Sequence, residues 1–229
     1  MGDQKISAII VAAGKGTRMK ADCPKQFIEV LGRPILYYTL KAFEQSEVDE
    51  VIVVTSESYV EYVKTEIVEK YNLQKVVQVI AGGNERYESV YRGLIVLKDA
   101  NYVLIHDGAR PFVKPELIHR IICSVKEEKA VIAGVKTKDT IKVVNRDGYV
   151  EVTPDRDFVW NIQTPQAFEY NLLKRAYNIV MEQSDITVTD DAMVVEYATD
   201  QKIKVIEGCY TNIKITTEDD LRIEYFCGL

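Results

Sequence analysis

The sequence predicts an α/β fold, a doubly wound, mostly parallel sheet with an inserted β-hairpin arm. Three observations lead there. Short, near-continuous apolar runs rich in Val and Ile recur up to Val135, each followed by a stretch of helical period. Glycine-rich and charged segments fall where those runs end. After Val135 the alternation breaks, and two alternating runs flank Asn145-Arg146-Asp147-Gly148.

Residues 6–11 form the first strand, which opens into Ala12-Ala13-Gly14-Lys15-Gly16-Thr17-Arg18-Met19 and then Pro24-Lys25-Gln26. This is the chemistry of a phosphate cradle. Glycines let backbone N–H groups approach an anion closely, and Lys15, Arg18 and Lys25 supply charge. The spacing is not that of a Walker loop. Nor is it the dinucleotide fingerprint, since Met19 stands where a third glycine belongs. Residues 35–45 read as a helix, 51–55 as a strand and 58–71 as a second helix. The third strand, 76–80, runs into Gly82-Gly83-Asn84-Glu85-Arg86, and residues 85–97 are helical. The fourth strand, 102–106, leads into His106-Asp107-Gly108-Ala109-Arg110-Pro111. A helix over 115–128 and a strand over 130–135 complete the regular part. Right-handed crossovers make such a series doubly wound. Ligands of these sheets sit outside the carboxyl ends of the strands, so the three polar loops should share one cleft.

Residues 138–144 and 149–152 around Asp147-Gly148 predict a charged hairpin. It has no core of its own to cover, and reads either as a solvated flap or as an arm reaching a second subunit. Helices over 169–183 and 190–198, a strand over 203–206 and a last helix from Glu218 follow. No repeat, low-complexity tract or linker interrupts the chain. Residues 1–229 therefore read as a single domain with an arm at about 137–157.

Composition narrows the function. With 229 residues, 47% hydrophobic and 28% charged, the chain has ordinary globular proportions. A net charge of −6 argues against a broad nucleic-acid surface, so the clustered cations suit a small anion. No run is long enough to span a membrane, and no signal-like segment precedes the first strand, which points to the cytoplasm. The four cysteines, Cys23, Cys123, Cys209 and Cys227, form no Cys-x-x-Cys pair, and with two histidines a zinc site is not expected. Cys23 in the cationic loop reads as a small side chain ahead of Pro24.

Taken in order, these motifs resemble the 2-C-methyl-D-erythritol 4-phosphate cytidylyltransferase family. The likeness adds Asp139-Thr140, Asp155-Arg156, Gln163-Thr164-Pro165-Gln166, Thr189-Asp190-Asp191-Ala192 and Asn212-Ile213-Lys214-Ile215-Thr216 to the loops above, and so runs through the whole chain. Related ribitol-5-phosphate cytidylyltransferases usually open with Leu-Ala-Gly-Gly and carry Asp-Ser-Val-Arg-Pro after the fourth strand. Val11-Ala12-Ala13-Gly14 and Asp107-Gly108-Ala109-Arg110-Pro111 favour the methylerythritol enzymes. Asn84 departs from the Asp frequent in relatives.

The resemblance implies a Rossmann-like nucleotidyltransferase fold and CMP transfer from CTP to methylerythritol phosphate with Mg²⁺ as cofactor. It implies Ala12, Ala13, Gly14, Lys15, Gly16, Gly82, Gly83, Asn84, Ser89 and Asp107 at CTP, with Gly82, Gly83 and Ser89 at the cytosine. Arg18, Lys25, Arg156 and Lys214 would be catalytic, the first two stabilising the transition state at phosphorus. Asp107, Arg110, Thr140, Arg156, Thr189 and Lys214 would meet the acceptor, and Asp107 either the sugar hydroxyls or the hydrated metal. It also implies a homodimer whose arms carry Thr140 and Arg156 into the partner's cleft. Asp190 and Asp191 read as helix-start carboxylates rather than a second metal site, and His106 as packed structure. The competing readings are ribitol-phosphate transfer, a hydride-transferring enzyme without its glycine spacing, and a catalytically silent nucleotide sensor. Arg18 and Lys25, both present, speak against the last.

Overall fold

Along the first strand, β1 (Ile6–Ala12), Ile6, Ala8, Ile10 and Ala12 face one core while Ile9 faces another. Both sides of the sheet are covered, which is why its strands read as unbroken apolar runs. The computed structural model describes residues 4–14, 23–183 and 186–222. After β1 the described chain resumes at Cys23. It makes a short ladder of β2 (Glu29–Val30) and β3 (Arg33–Pro34), then α1 (Ile35–Glu44), β4 (Glu50–Thr55), α2 (Val60–Tyr62) and β5 (Val76–Ala81). Next come α3 (Arg86–Val96), β6 (Tyr102–Asp107), α4 (Pro115–Glu128) and β7 (Ala130–Lys136). The hairpin strands β8 (Val143–Val144) and β9 (Val150–Val152) precede β10 (Trp160–Glu169), α5 (Tyr170–Met181), α6 (Asp191–Ala198) and β11 (Lys204–Glu207).

The main sheet has the order β11-β7-β10-β6-β1-β4-β5. β4 and β6 flank β1 in parallel, and β5 extends β4. β10 runs antiparallel between β6 and β7, and β11 pairs parallel with β7. The direction of winding reverses at β1, so the gap between the ends of β1 and β6 is the topological switch point. There Val11 stands opposite Asp107.

α1 and α4 pack on one face, and α3, α5 and α6 on the other. Three of the helix starts have a local cause. Pro115 at the first turn needs no N–H donor, Glu85 and Glu88 form a reciprocal capping box, and the Asp190 carboxylate accepts the Met193 N–H.

Three segments differ from the sequence reading. The expected helix over 58–71 is a 3₁₀ turn at Glu57–Tyr59, one turn of α2, and π-helical Val63–Glu69. Its β-branched residues weaken α propensity. The strand β10 is absent from the sequence reading, because Asn161, Gln163, Gln166 and Pro165 hide its period. At the carboxyl end, the described residues hold only a 3₁₀ turn, Glu218–Leu221. The hairpin arm is present, and its side chains are almost all exposed.

Candidate active site

The carboxyl ends of β1, β4, β5 and β6 surround a cavity of about 550 Å³. Its walls differ in chemistry. Small residues and backbone come from Ala12, Ala13 and Gly14 of β1 and its loop, and from Gly82, Gly83 and Asn84 of the turn after β5. Charged side chains come from Lys25, Arg86, Asp107 and Lys214.

Gly82 is required by close approach. A Cβ there would lie 2.6 Å from Ser89 Oγ and 2.8 Å from Ala13 Cβ. The Gly82 N–H donates to the Thr55 carbonyl at 2.7 Å, locking the turn onto β4. Ser89 Oγ accepts the Gly83 N–H at 3.1 Å and donates to the Glu85 carbonyl at 3.1 Å. Arg92 Nη1 donates to the Gly82 carbonyl at 2.7 Å, and Glu88 accepts the Asn84 N–H at 2.6 Å. Three side chains of α3, Glu88, Ser89 and Arg92, therefore hold this turn, whose residues line the cavity.

Gln26 performs a similar task at the end of β1. Its buried amide donates to the carbonyls of Ala12 at 2.5 Å and Gly14 at 3.2 Å. Both partners are acceptors, which fixes the amide orientation. Next to it, Lys25 Nζ donates to the Ile215 carbonyl at 2.6 Å, and Phe27 stacks on Tyr59 with ring centroids 4.6 Å apart.

Asp107 is the electrostatic hub. Arg86 Nε lies 3.1 Å from its Oδ1, while Lys214 Nζ and Arg110 Nε lie 2.9 and 3.4 Å from its Oδ2. Burial pushes its carboxyl pKa up, but Arg86, Lys214 and Arg110 outweigh that and hold it well below the usual range. Burial likewise works against the charge of Arg86, and Asp191 and Asp107 more than offset it. Arg110, whose pKa burial lowers against the pull of Asp107, also donates to the Asn212 carbonyl at 2.9 Å. It turns inward and does not line the cavity. His106 Nδ1 faces Thr164 Oγ1 at 2.9 Å, and Nε2 faces the Arg110 carbonyl at 3.3 Å. Thr164 Oγ1 also accepts the Asp107 N–H at 3.1 Å. Burial pushes the His106 pKa down to about 3, so a neutral ring clamps the strand end.

The other expected site residues lie elsewhere. Lys15, Gly16 and Arg18 fall outside the described residues. Thr140 and Arg156 are exposed on the arm, and Thr189 is exposed ahead of α6; none of the three lines this chain's cavity. Lys214 belongs to no strand, yet the expected alternation holds, with Ile215 buried and Lys214 turned to Asp107. Asp190 caps α6 as expected, whereas Asp191 is fully buried and paired with Arg86 at 2.8 Å. Sequence reasoning gave no task to Arg86, Arg92 or Gln26. Arg86 could have been found by its place at the head of the helix that follows the glycine pair.

The sequence model of the family described as 2-C-methyl-D-erythritol 4-phosphate cytidylyltransferase matches residues 6–227. A protein of that name from Lachnoclostridium phytofermentans is 49% identical over 218 residues, 95% of this chain and 94% of the relative. One from Alkaliphilus oremlandii is 48% identical over 219 residues, 95% and 92% of the two chains. Among solved structures, the 4-diphosphocytidyl-2C-methyl-D-erythritol synthase of Anaerococcus prevotii superimposes with a TM-score of 0.86 at 40% identity, covering 98% of this chain and 96% of its own. The cytidylyltransferase of Thermus thermophilus gives 0.78 at 28% identity, with 98% of each chain covered. From the switch-point cleft to the match over nearly its whole length, this chain belongs to the 2-C-methyl-D-erythritol 4-phosphate cytidylyltransferase family.

Proposed function

We propose that this protein transfers a cytidylyl group from CTP to 2-C-methyl-D-erythritol 4-phosphate, releasing pyrophosphate, in isoprenoid precursor synthesis. The observation that carries the reading is the cleft's two kinds of lining, glycine backbone at residues 82 and 83 and the ammonium groups of Lys25 and Lys214. A flat pyrimidine suits the first, where Gly82 leaves no room for a side chain. Phosphates suit the second.

An acceptor phosphate oxygen forms the new bond to the α-phosphorus, and the bond from that phosphorus to the bridging oxygen of pyrophosphate breaks. The attacking phosphate is already anionic, so the chain need supply no general base. The neutral, buried His106 fits that economy. What the protein must supply is fixed positive charge around a transition state richer in negative charge. Lys25 and Arg18 take that role on this reading. Lys214, held by Asp107, and Arg156 of the arm orient the acceptor, and Thr140, Thr189 and Arg110 complete or support its pocket.

The donor set bears on the metal. Among the described residues no cluster of three His, Cys, Asp or Glu could cage an ion. Both oxygens of Asp107 already face cations. These residues suit an Mg²⁺ ion that arrives with the triphosphate, and Asp107 would be the residue that helps to hold it. When bound, the ion would offset phosphate charge.

The arm supports a homodimer with composite clefts. Tyr149 and Phe158 are 73% and 82% exposed, and Val144, Val150 and Val152 show more than half of their surface. Apolar side chains on a hairpin without a core call for a partner. A cytoplasmic location belongs to the same proposal, supported by the unpaired Cys23, Cys123 and Cys209. No helix among the described residues is long and apolar enough to cross a membrane.

Pyrophosphate release tests the reaction. It should require CTP, a divalent metal and methylerythritol phosphate together. A preference for ribitol 5-phosphate would overturn the acceptor, and a preference for ATP would overturn the base.

A further inference from the structure

Asp191 has no task in the reaction described above, yet its side chain is fully buried. A carboxylate that merely favours a helix start would stay at the surface, because burying its charge is costly unless it is paired. Here it is paired twice. The Tyr177 hydroxyl donates to Oδ1 at 2.6 Å, and Arg86 Nη2 donates to Oδ2 at 2.8 Å.

The same guanidinium reaches further. Its Nε donates to Asp107 Oδ1 at 3.1 Å, and Asp107 in turn holds Lys214 at 2.9 Å. Arg86 is also the first residue of α3, three positions beyond Gly83. One planar fork therefore joins the helix behind the glycine wall, the end of β6 and the head of α6. Lysine could not replace it, because a single ammonium point charge does not span two carboxylates with fixed geometry. The group of Arg86, Arg110, Lys214, Asp107 and Asp191 carries three positive and two negative charges. It thus keeps one positive charge in excess beside a cleft for anions.

We propose that Arg86 is a positioning residue that couples the nucleotide wall of the cleft to its acceptor end. Anchored on Asp191, it fixes the Asp107 carboxylate, and Asp107 fixes the Lys214 ammonium where the acceptor phosphate is held. The inference rests on the cytidylyltransferase reading and assigns a task within it.

Arg86→Lys separates geometry from charge, since the charge count is kept and the fork is lost. CTP affinity would be measured by calorimetry without acceptor. Acceptor KM and kcat would come from pyrophosphate release at saturating CTP. Arg86→Lys should leave the CTP Kd within about threefold while raising acceptor KM about tenfold and lowering kcat. Asp191→Asn should show the same pattern, and the double variant should be little worse than either single one. Tyr177→Phe removes the other donor to Asp191 but keeps the fork, and should leave acceptor KM unchanged. A normal acceptor KM in a folded Arg86→Lys overturns the inference. So does additivity in the double variant, or a Tyr177→Phe variant as impaired as Arg86→Lys, which would mean a merely structural role. No pyrophosphate release from the unaltered protein overturns the reaction and this inference with it. Activity in the unaltered protein beside a normal Arg86→Lys overturns the inference alone.

Discussion

Lys25 donates to the Ile215 carbonyl, and its side chain borders the cavity. Losing one preorganised charge of this kind costs about 3 kcal/mol in the transition state, roughly a hundredfold in turnover. Lys25→Ala and Arg18→Ala should therefore fold normally and turn over slowly at saturating CTP. Near-normal turnover in either variant would strip that residue of the role. Gly82→Ala should weaken CTP binding, because its methyl would drive Ser89 and Ala13 apart at a cost of about 1–3 kcal/mol. Unchanged CTP affinity by calorimetry would count against the glycine wall. His106 acts through pH instead. The Arg110 carbonyl can only accept, so Nε2 carries the proton and Nδ1 accepts from Thr164. With a pKa of about 3 in place of 6.5, the folded ring refuses a proton that the unfolded chain takes up between those values. Its stabilising contribution is complete above the upper value and is lost as pH falls towards the lower. Asp107, held far below its ordinary value, adds to the same trend at lower pH. The urea midpoint should fall from about pH 7 to about pH 4, and His106→Gln should flatten that slope. An equal slope in the two proteins would contradict the assignment.

At the scale of elements, the arm is the segment with least to lose. Its turn is held locally, with Asn145 Oδ1 accepting the N–H groups of Asp147 and Tyr149, and Gly148 at φ 86°. No residue of β8 or β9 enters either core. Replacing residues 141–152 with a short Gly-Ser link should leave a chain that unfolds cooperatively as a monomer but no longer dimerises. Loss of cooperative unfolding would make the arm part of the core. The arm was legible because Asp147-Gly148 is a strong local signal between alternating runs. The parallel strands were legible because burial on both faces demands apolar residues at every position. β10 was not, because its buried polar residues are satisfied by partners distant in sequence. Gln166 accepts the N–H groups of Asp191 and Ala192 and donates to Asp190, while Gln163 donates to the Cys209 carbonyl. The Arg86 fork was hidden for the same reason, since nothing local in the sequence ties residue 86 to residues 107 and 191. The cleft loops were readable one by one, and their convergence followed from the winding rule.

For the molecule as a whole, the proposed dimer would complete each cleft with the other chain's arm, a two-fold exchange that closes on itself. Mixing Arg156→Ala with Lys25→Ala under conditions that exchange subunits should restore activity in part, because one cleft of the mixed dimer would receive both defects and the other neither. Confirmed exchange without recovery would place Arg156 in its own chain's cleft. The position of β10 matters before any dimer exists. Until residues 160–169 leave the ribosome, β6 has an open edge, and β7, which pairs with β10 and β11, has no strand to pair with. At ordinary elongation rates the gap between the end of β6 and the start of β10 lasts roughly 3–10 s. For that interval the nascent chain exposes an unpaired apolar edge, the state most open to aggregation or chaperone capture. A ribosome stalled before residue 160 should therefore hold a protease-sensitive chain, and one stalled far enough beyond residue 207 for β11 to emerge should hold a resistant one.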